Sequence, residues 1–313
     1  MDDNPLVTVV IPTWNRERLV EQAVASVVAQ TYRNWELFVV DDGSTDDTVG
    51  RLNRFALPNV HVMRSTHLGH IGRLRNLGAT AGRGEFIAFL DSDDLWRPQK
   101  LEKQLSALQN SNANWSYTEY DLFADNGLQI PLVSGKAPAI SGHIVRALLN
   151  EETGVCPCTL LVRRSLFEAI GGFCEDPRMS HRDDADIALR LARASATIAI
   201  PARLTLVREH RSRLTRTLVA PHEHSAIVYE FFLEYESDEE LRRLARARWA
   251  GCLSDAGAQR MAAGEYRHAA ALFCRSLAKG RLRAELLRAA ARGIRARLRK
   301  AEVSDGAAHG ALP

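Results

Sequence analysis

Residues 84–96 read Gly-Glu-Phe-Ile-Ala-Phe-Leu-Asp-Ser-Asp-Asp-Leu-Trp, an apolar run that ends on three carboxylates, Asp91, Asp93 and Asp94. The unbroken β-favouring residues from Phe86 to Leu90 predict a strand covered on both faces, as in a largely parallel sheet. Ligands of open α/β sheets collect outside the carboxyl ends of the strands, so acids at this end predict a site. Hard oxygen donors suit Mg2+ or Mn2+, ions that pair with phosphate oxygens more readily than they fill an all-protein cage. A nucleoside diphosphate is the expected partner.

Working outward, short strands and helices alternate. Strands are predicted at 7–11, 35–40, 60–63 and 86–90, and helices at 16–30, 45–54 and 71–81, with Ser44 capping the second helix. This alternation predicts parallel strands joined by right-handed crossovers. A helix to about residue 110 and a strand at 114–123 follow Pro98. Residues 124–158 are rich in Gly, Pro and Ser, as a wall over a pocket would be, with a helix at 142–150. Further on, strands are expected at 159–162 and 197–207 and helices at 164–170 and 184–193. Helices at 222–235, 239–261, 266–277 and 281–299 form an all-helical extension. The expected domains are 1–221, with halves of about 1–123 and 124–221, a helical bundle at 222–300, and a disordered tail at 301–313.

The 313 residues, 46% of them apolar, suffice for one large domain plus an extension. No apolar stretch approaches the ~20 residues of a spanning helix, and residues 1–12 lack the pattern of a signal peptide, so the expected location is cytoplasmic. Five cysteines, an odd number in a chain of this size, argue against a disulfide framework, and Cys156-Pro157-Cys158 has no second pair to make a zinc motif. The net charge of +3 is unevenly spread. Residues 1–240 carry 25 Lys and Arg against 33 Asp and Glu, whereas residues 241–300 carry 16 against 3. Such a basic helical stretch fits a solvated face or a peripheral contact with an anionic membrane, and no nucleic acid is expected.

Three further stretches bear on chemistry. The first strand runs into Pro12-Thr13-Trp14-Asn15-Arg16, where Trp14 can stack on a base or simply pack. The second runs into Asp41-Asp42-Gly43-Ser44-Thr45-Asp46, where adjacent acids can accept hydrogen bonds from a base or ribose, and capping alone does not explain both aspartates. Arg75-Asn76-Leu77-Gly78 lies on the third helix, after His67-Leu68-Gly69-His70, whose histidines either approach a ligand or sit in a solvent loop. Together with Phe89-Leu90-Asp91-Ser92-Asp93-Asp94, and in this order, these stretches resemble family 2 glycosyltransferases of the GT-A fold, which transfer sugars from nucleotide donors with inversion. The resemblance covers residues 7 to about 212 and implies an α/β mixed sheet flanked by helices.

By that resemblance Pro12, Thr13 and Trp14 line the base pocket, Asn15 is a further nucleotide-binding residue, Asp41 or Asp42 reads the base, and Arg75 faces the nucleotide and its phosphates. Asp91 touches the ribose, and Ser92 is a further nucleotide-binding residue. Asp93 ligates Mg2+ or Mn2+, with Asp91 sharing the ion and Asp94 a weaker candidate. Displacement at an anomeric carbon also needs a base for the acceptor hydroxyl. His181-Arg182-Asp183-Asp184-Ala185-Asp186 resembles the family's Glu-Asp-x-Asp helix start, which assigns the base to Asp184. The plainer roles there are a helix cap for Asp183 and an i,i+4 pair for Asp186 with Arg190. Val207-Arg208-Glu209-His210 resembles the segment whose histidine reaches the metal, which makes His210 a third ligand. Gly171-Gly172-Phe173 would shape the acceptor side. The expected reaction transfers one sugar from a nucleotide-diphosphate donor to an acceptor hydroxyl. A sugar nucleotidyltransferase is the alternative enzyme, although Pro12–Arg16 holds no glycine-rich loop, and a non-catalytic nucleotide-sugar-binding protein is the alternative outside catalysis.

Overall fold

A computed structural model describes residues 4–124, 129–130, 138–180, 182–209 and 221–279. The chain divides into two compact units, Met1–Arg216 and Thr217–Pro313. The first opens with β1 (Val7–Thr13), α1 (Glu17–Val28), β2 (Trp35–Asp41), α2 (Thr48–Leu52), β3 (Val60–Arg64), α3 (Ile71–Ala81) and β4 (Phe86–Phe89). It continues through β5 (Leu95–Trp96), α4 (Lys100–Gln109), β6 (Trp115–Ala124), β7 (Gln129–Ile130) and α5 (Val145–Leu149). A 3-10 turn (Pro157–Thr159), β8 (Leu161–Arg163), α6 (Arg164–Ala169), a second 3-10 turn (Pro177–Met179), α7 (Asp183–Ala194) and β9 (Thr197–Glu209) complete it.

The sheet order is β3-β2-β1-β4-β8-β6-β9-β5, with β7 on β6. The pairs β1–β2, β2–β3 and β1–β4 are parallel, so the carboxyl ends of β1, β2 and β4 lie side by side. Beyond β4 the sheet becomes mixed, because β8 runs antiparallel to both β4 and β6 while β9 runs parallel to β6. Every residue of β1, β2 and β4 is buried, in keeping with strands covered on both faces. On α1 the buried Val20, Ala23, Val24 and Val27 fall at helical spacing and pack into the cluster of Val9, Leu37, Phe86 and Leu90.

Several local expectations are corrected. The second helix begins three residues later than expected and Ser44 does not cap it. Asp46 accepts the Thr48 amide at 3.0 Å, while the Ser44 hydroxyl accepts the Asn15 amide at 2.8 Å. The strand expected at 159–162 is a 3-10 turn followed by β8, since Thr159 turns back to bond the Cys156 carbonyl. Leu95–Trp96, read only as the residues after the acids, pairs with β9.

In the second unit α8 (Pro221–Tyr235), α9 (Glu239–Ala262) and α10 (Tyr266–Lys279) are all helical. Asp238 caps α9 by accepting the Glu240 and Leu241 amides at 2.9 and 3.0 Å. Gly257 lets α10 close on α9, for a Cβ there would stand 2.8 Å from the Phe273 ring. The helix expected at 281–299 and the tail at 301–313 lie outside the described residues.

Candidate active site

The ends of β1 and β2 are tied together by short polar contacts. Thr13 and Asp41 are register partners, and the Asp42 amide donates to the Thr13 carbonyl at 2.9 Å. Asn15 holds φ +50° and accepts the Thr45 amide on its side-chain oxygen at 2.8 Å. Asp41 is fully buried and accepts the Ser44 amide at 3.1 Å, a turn made possible by Gly43 at φ +74°. Asp42 accepts the Leu68 and Gly69 amides at 2.6 and 2.9 Å.

Trp14 stands 49% exposed at this edge and stacks on His67, with ring centroids 4.7 Å apart. His67 Nδ1 is 3.0 Å from an Asp42 oxygen, so Asp42 links the aromatic pair to the loop. His70, by contrast, caps α3 and bonds the Asp176 carbonyl at 3.1 Å. Pro12 and Thr13 are buried, and Thr13 Oγ1 has no hydrogen-bond partner among the described residues. A buried hydroxyl left in that state calls for a polar partner such as a water, an ion or a ligand.

At the end of β4, Ser92 is buried while Asp91 and Asp93 are partly exposed. Asp94 turns inward and accepts the Arg208 amide at 2.9 Å, and the Asp93 carbonyl accepts Arg208 Nε at 2.8 Å. Burial, reinforced by Asp93 and Asp91, pushes the Asp94 carboxyl well above the usual carboxylate range. Asp94 therefore fastens β9 to the acidic turn.

Arg75 is 3% exposed and joins two parts of the unit. Its Nη2 donates to Asp91 Oδ1 at 2.6 Å, its Nη1 donates to Asp183 Oδ2, and its guanidinium lies 5.1 Å from the centre of the Phe173 ring. Burial opposes this charge, but Asp183 and Asp91 raise the Arg75 pKa above its ordinary value. The next residue, Asn76, exchanges hydrogen bonds of 2.9 Å with the Phe173 backbone in both directions. The Arg75-Asn76 pair thus clamps α3 to the loop before α7.

At the start of α7 the three acids differ. Asp183 does not cap the helix; Arg182 occupies that position without a capping side-chain hydrogen bond, and the Asp183 carboxylate is drawn to Arg75. Burial, opposed by Arg75, pushes the Asp183 carboxyl up to about 6. Asp186 makes the expected pair with Arg190. Asp184 is partly buried and its oxygen accepts the Ala185 amide at 2.8 Å. Burial raises its carboxyl above the ordinary value against the pull of Arg182 and Arg75. His210 lies outside the described residues.

Two cysteines set aside in the sequence for want of a second pair are neighbours of Asp91. Cys156 and Cys158 bring their sulfurs into one group with an Asp91 oxygen, all ligand atoms within 4.8 Å of one another. The only signal in the sequence was the Cys-Pro-Cys spacing, and the third member lies 65 positions away.

Residues 8–171 match the family model described as Glycosyl transferase family 2. The chain is 35% identical over 126 residues to the Escherichia coli UDP-Glc:alpha-D-GlcNAc-diphosphoundecaprenol beta-1,3-glucosyltransferase WfgD, covering 40% of this chain and 50% of the relative. It is 37% identical over 125 residues to a putative teichuronic acid biosynthesis glycosyltransferase, TuaG, of Bacillus subtilis, covering 39% and 50%. The chain therefore spans about half the length of these curated relatives. Among solved structures it superposes on residues 1–349 of S. aureus TarS in complex with UDP-GlcNAc, with TM-score 0.65, 18% identity and 87% and 89% of the two chains covered. A mannosyltransferase from Pyrobaculum calidifontis in complex with GDP-Man and Mn2+ gives TM-score 0.61 at 18% identity, covering 94% and 81%. These likenesses show the fold.

Proposed function

The chain belongs to glycosyl transferase family 2, and from that premise we propose that it transfers a single sugar from a nucleotide-diphosphate donor to an acceptor hydroxyl, with inversion at the anomeric carbon. The observation that carries this reading is the bridge made by Arg75, which ties Asp91 at the end of β4 to Asp183 at the start of α7. That bridge supports reading a donor-side carboxylate and the helix bearing Asp184 as parts of one site.

In this reading the base of the donor enters at the ends of β1 and β2. Trp14 offers its exposed face, and the Thr13 hydroxyl, without a partner among the described residues, and Asp41 or Asp42 offer polar contacts to the base edge. Asp91 and Ser92 lie against the ribose. Arg75, already engaged by two carboxylates, acts by setting the position of Asp91 rather than by reaching the phosphates. Asp184 accepts the proton of the acceptor hydroxyl, its raised pKa bringing it nearer to the working range of a base.

The carboxylates of Asp93 and Asp91 fit a hard divalent ion, with His210 a further candidate ligand; Mg2+ or Mn2+ held there would offset the charge gained by the departing nucleoside diphosphate. Among the described residues no helix is long and apolar enough to cross a membrane. The name of the E. coli relative describes a diphosphoundecaprenol-linked acceptor. A lipid-linked acceptor agrees with the basic excess of residues 241–300, which would meet an anionic membrane from the cytoplasmic side.

A thermal-shift screen of UDP, GDP and dTDP sugars with and without Mn2+ tests the donor assignment, because a ligand of the folded state raises apparent stability. At least one donor should raise the melting temperature more with Mn2+ than without. No shift with any of them would contradict the reading.

A further inference from the structure

The Cys156-Pro157-Cys158 turn immediately precedes β8, the antiparallel neighbour of β4. That pairing carries the turn to the end of β4 where Asp91 stands. The two sulfurs are 2.9 Å apart, and both join an Asp91 oxygen within 4.8 Å. Cys158 is fully buried and Cys156 partly exposed.

The backbone of this turn is pinned. The Cys156 carbonyl accepts both the Thr159 amide at 2.9 Å and its hydroxyl at 2.6 Å. The Cys158 carbonyl accepts Trp96 Nε1 at 2.8 Å and the Thr205 hydroxyl at 3.2 Å. Both sulfurs therefore hang from fixed Cα positions beside a fixed carboxylate. Asp91 spends Oδ1 on Arg75 and keeps a second oxygen as a donor.

Two thiolates and one carboxylate form a softer donor set than the acids at the strand end. Such a set selects zinc over magnesium or manganese. Three protein ligands with a fourth position left open is a regular zinc arrangement, and Zn–S bonds of about 2.3 Å require ligand atoms roughly 3.5–4 Å apart. The 2.9 Å S···S contact is shorter than that range, so binding would require the partly exposed Cys156 side chain to turn away from Cys158.

We propose that Asp91, Cys156 and Cys158 form a site for a thiophilic divalent cation, Zn2+, and that its occupancy inhibits donor binding by engaging Asp91. As each S–Zn bond forms, the thiol proton is released to solvent. The inhibitory half rests on the donor-side reading of Asp91; the metal site itself does not.

The experiment titrates the reduced full-length protein with Co2+, then displaces it with Zn2+, and follows the thiolate-to-cobalt charge-transfer band. The wild type should show that band with one equivalent bound, and Cys156→Ser should weaken binding at least about tenfold. Cys158→Ala, at a buried position, is accompanied by a thermal melt to show that it folds. In parallel, donor-sugar thermal shifts with Mn2+ are measured with and without one equivalent of Zn2+. Zinc should abolish the shift in the wild type, and in Cys156→Ser the same loss should require at least about tenfold more free zinc. A charge-transfer band of equal strength in wild type and Cys156→Ser, or none in the wild type, would overturn the site. Zinc bound through the cysteines with the donor shift intact would overturn inhibition. A wild type that shows no donor shift even without zinc would count against the proposed function and leave the metal site standing on its spectrum.

Discussion

Arg75 and Asp91 form an ion pair of 2.6 Å in which the guanidinium is almost wholly buried and the carboxylate remains partly open. The same guanidinium holds Asp183 on α7. Removing it would strand two carboxylates without their shared partner. Arg75→Ala should lower stability by about 3–5 kcal/mol in urea unfolding, as expected for a broken buried pair. A loss below about 1 kcal/mol would mean that the bridge carries little of the fold.

Trp14 should contribute to donor affinity and little to the chemical step. Stacking of this kind contributes about 0.5–1.5 kcal/mol. Trp14→Ala is expected to raise the donor KM up to about tenfold with kcat nearly unchanged, the pattern of a contact made equally in ground and transition states. A fall in kcat at constant KM would remove Trp14 from the base pocket.

Lys100 supplies a test of buried charge. Its ammonium is fully buried, donates to Gln104 Oε1 at 2.6 Å and lies 4.1 Å from the centre of the Trp96 ring. Burial pushes its pKa from 10.5 down to about 7. Between those values the unfolded chain binds more protons than the folded one, so stability rises with pH through this window. From pH 7 to 9 the lysine should add about 2 kcal/mol to stability. Comparing urea midpoints at the two pH values, Lys100→Met should lack this increment, and an equal increment in the variant would contradict it.

Asp184→Asn tests the base. The variant should bind donor normally while transfer falls at least about 100-fold. Because the Asp184 pKa is raised, wild-type transfer should decline as pH falls through a value above the ordinary carboxylate range. Wild-type rates in the variant would dismiss Asp184 from the mechanism.

The parts legible in the sequence were those written in local periodicity. Phe86–Phe89 and the α1 residues Val20, Ala23, Val24 and Val27 have one strand and one helix as their only economical reading. The alternation around them implied parallel pairing of β1, β2, β3 and β4. What stayed hidden depends on contacts between distant segments. Asp183 looked like a cap because its pull toward Arg75, 108 positions earlier, has no local trace. The contacts that Arg75 makes with Asp91 and Asp183 left no local trace for the same reason. Cys156 and Cys158 lacked a nearby pair, and their neighbour Asp91 arrives only through the β4–β8 pairing. Ser44 failed as a cap because Asn15, on another loop, took its hydroxyl.

The central claim is that a divalent ion at the end of β4 meets the diphosphate of a sugar nucleotide. A crystal of the protein soaked with a UDP or GDP sugar and Mn2+ tests it most directly, through the anomalous signal of manganese. The account predicts a manganese peak within bonding distance of Asp93 or Asp91 and of diphosphate oxygens. Manganese elsewhere, with both carboxylates turned from the nucleotide, would contradict it.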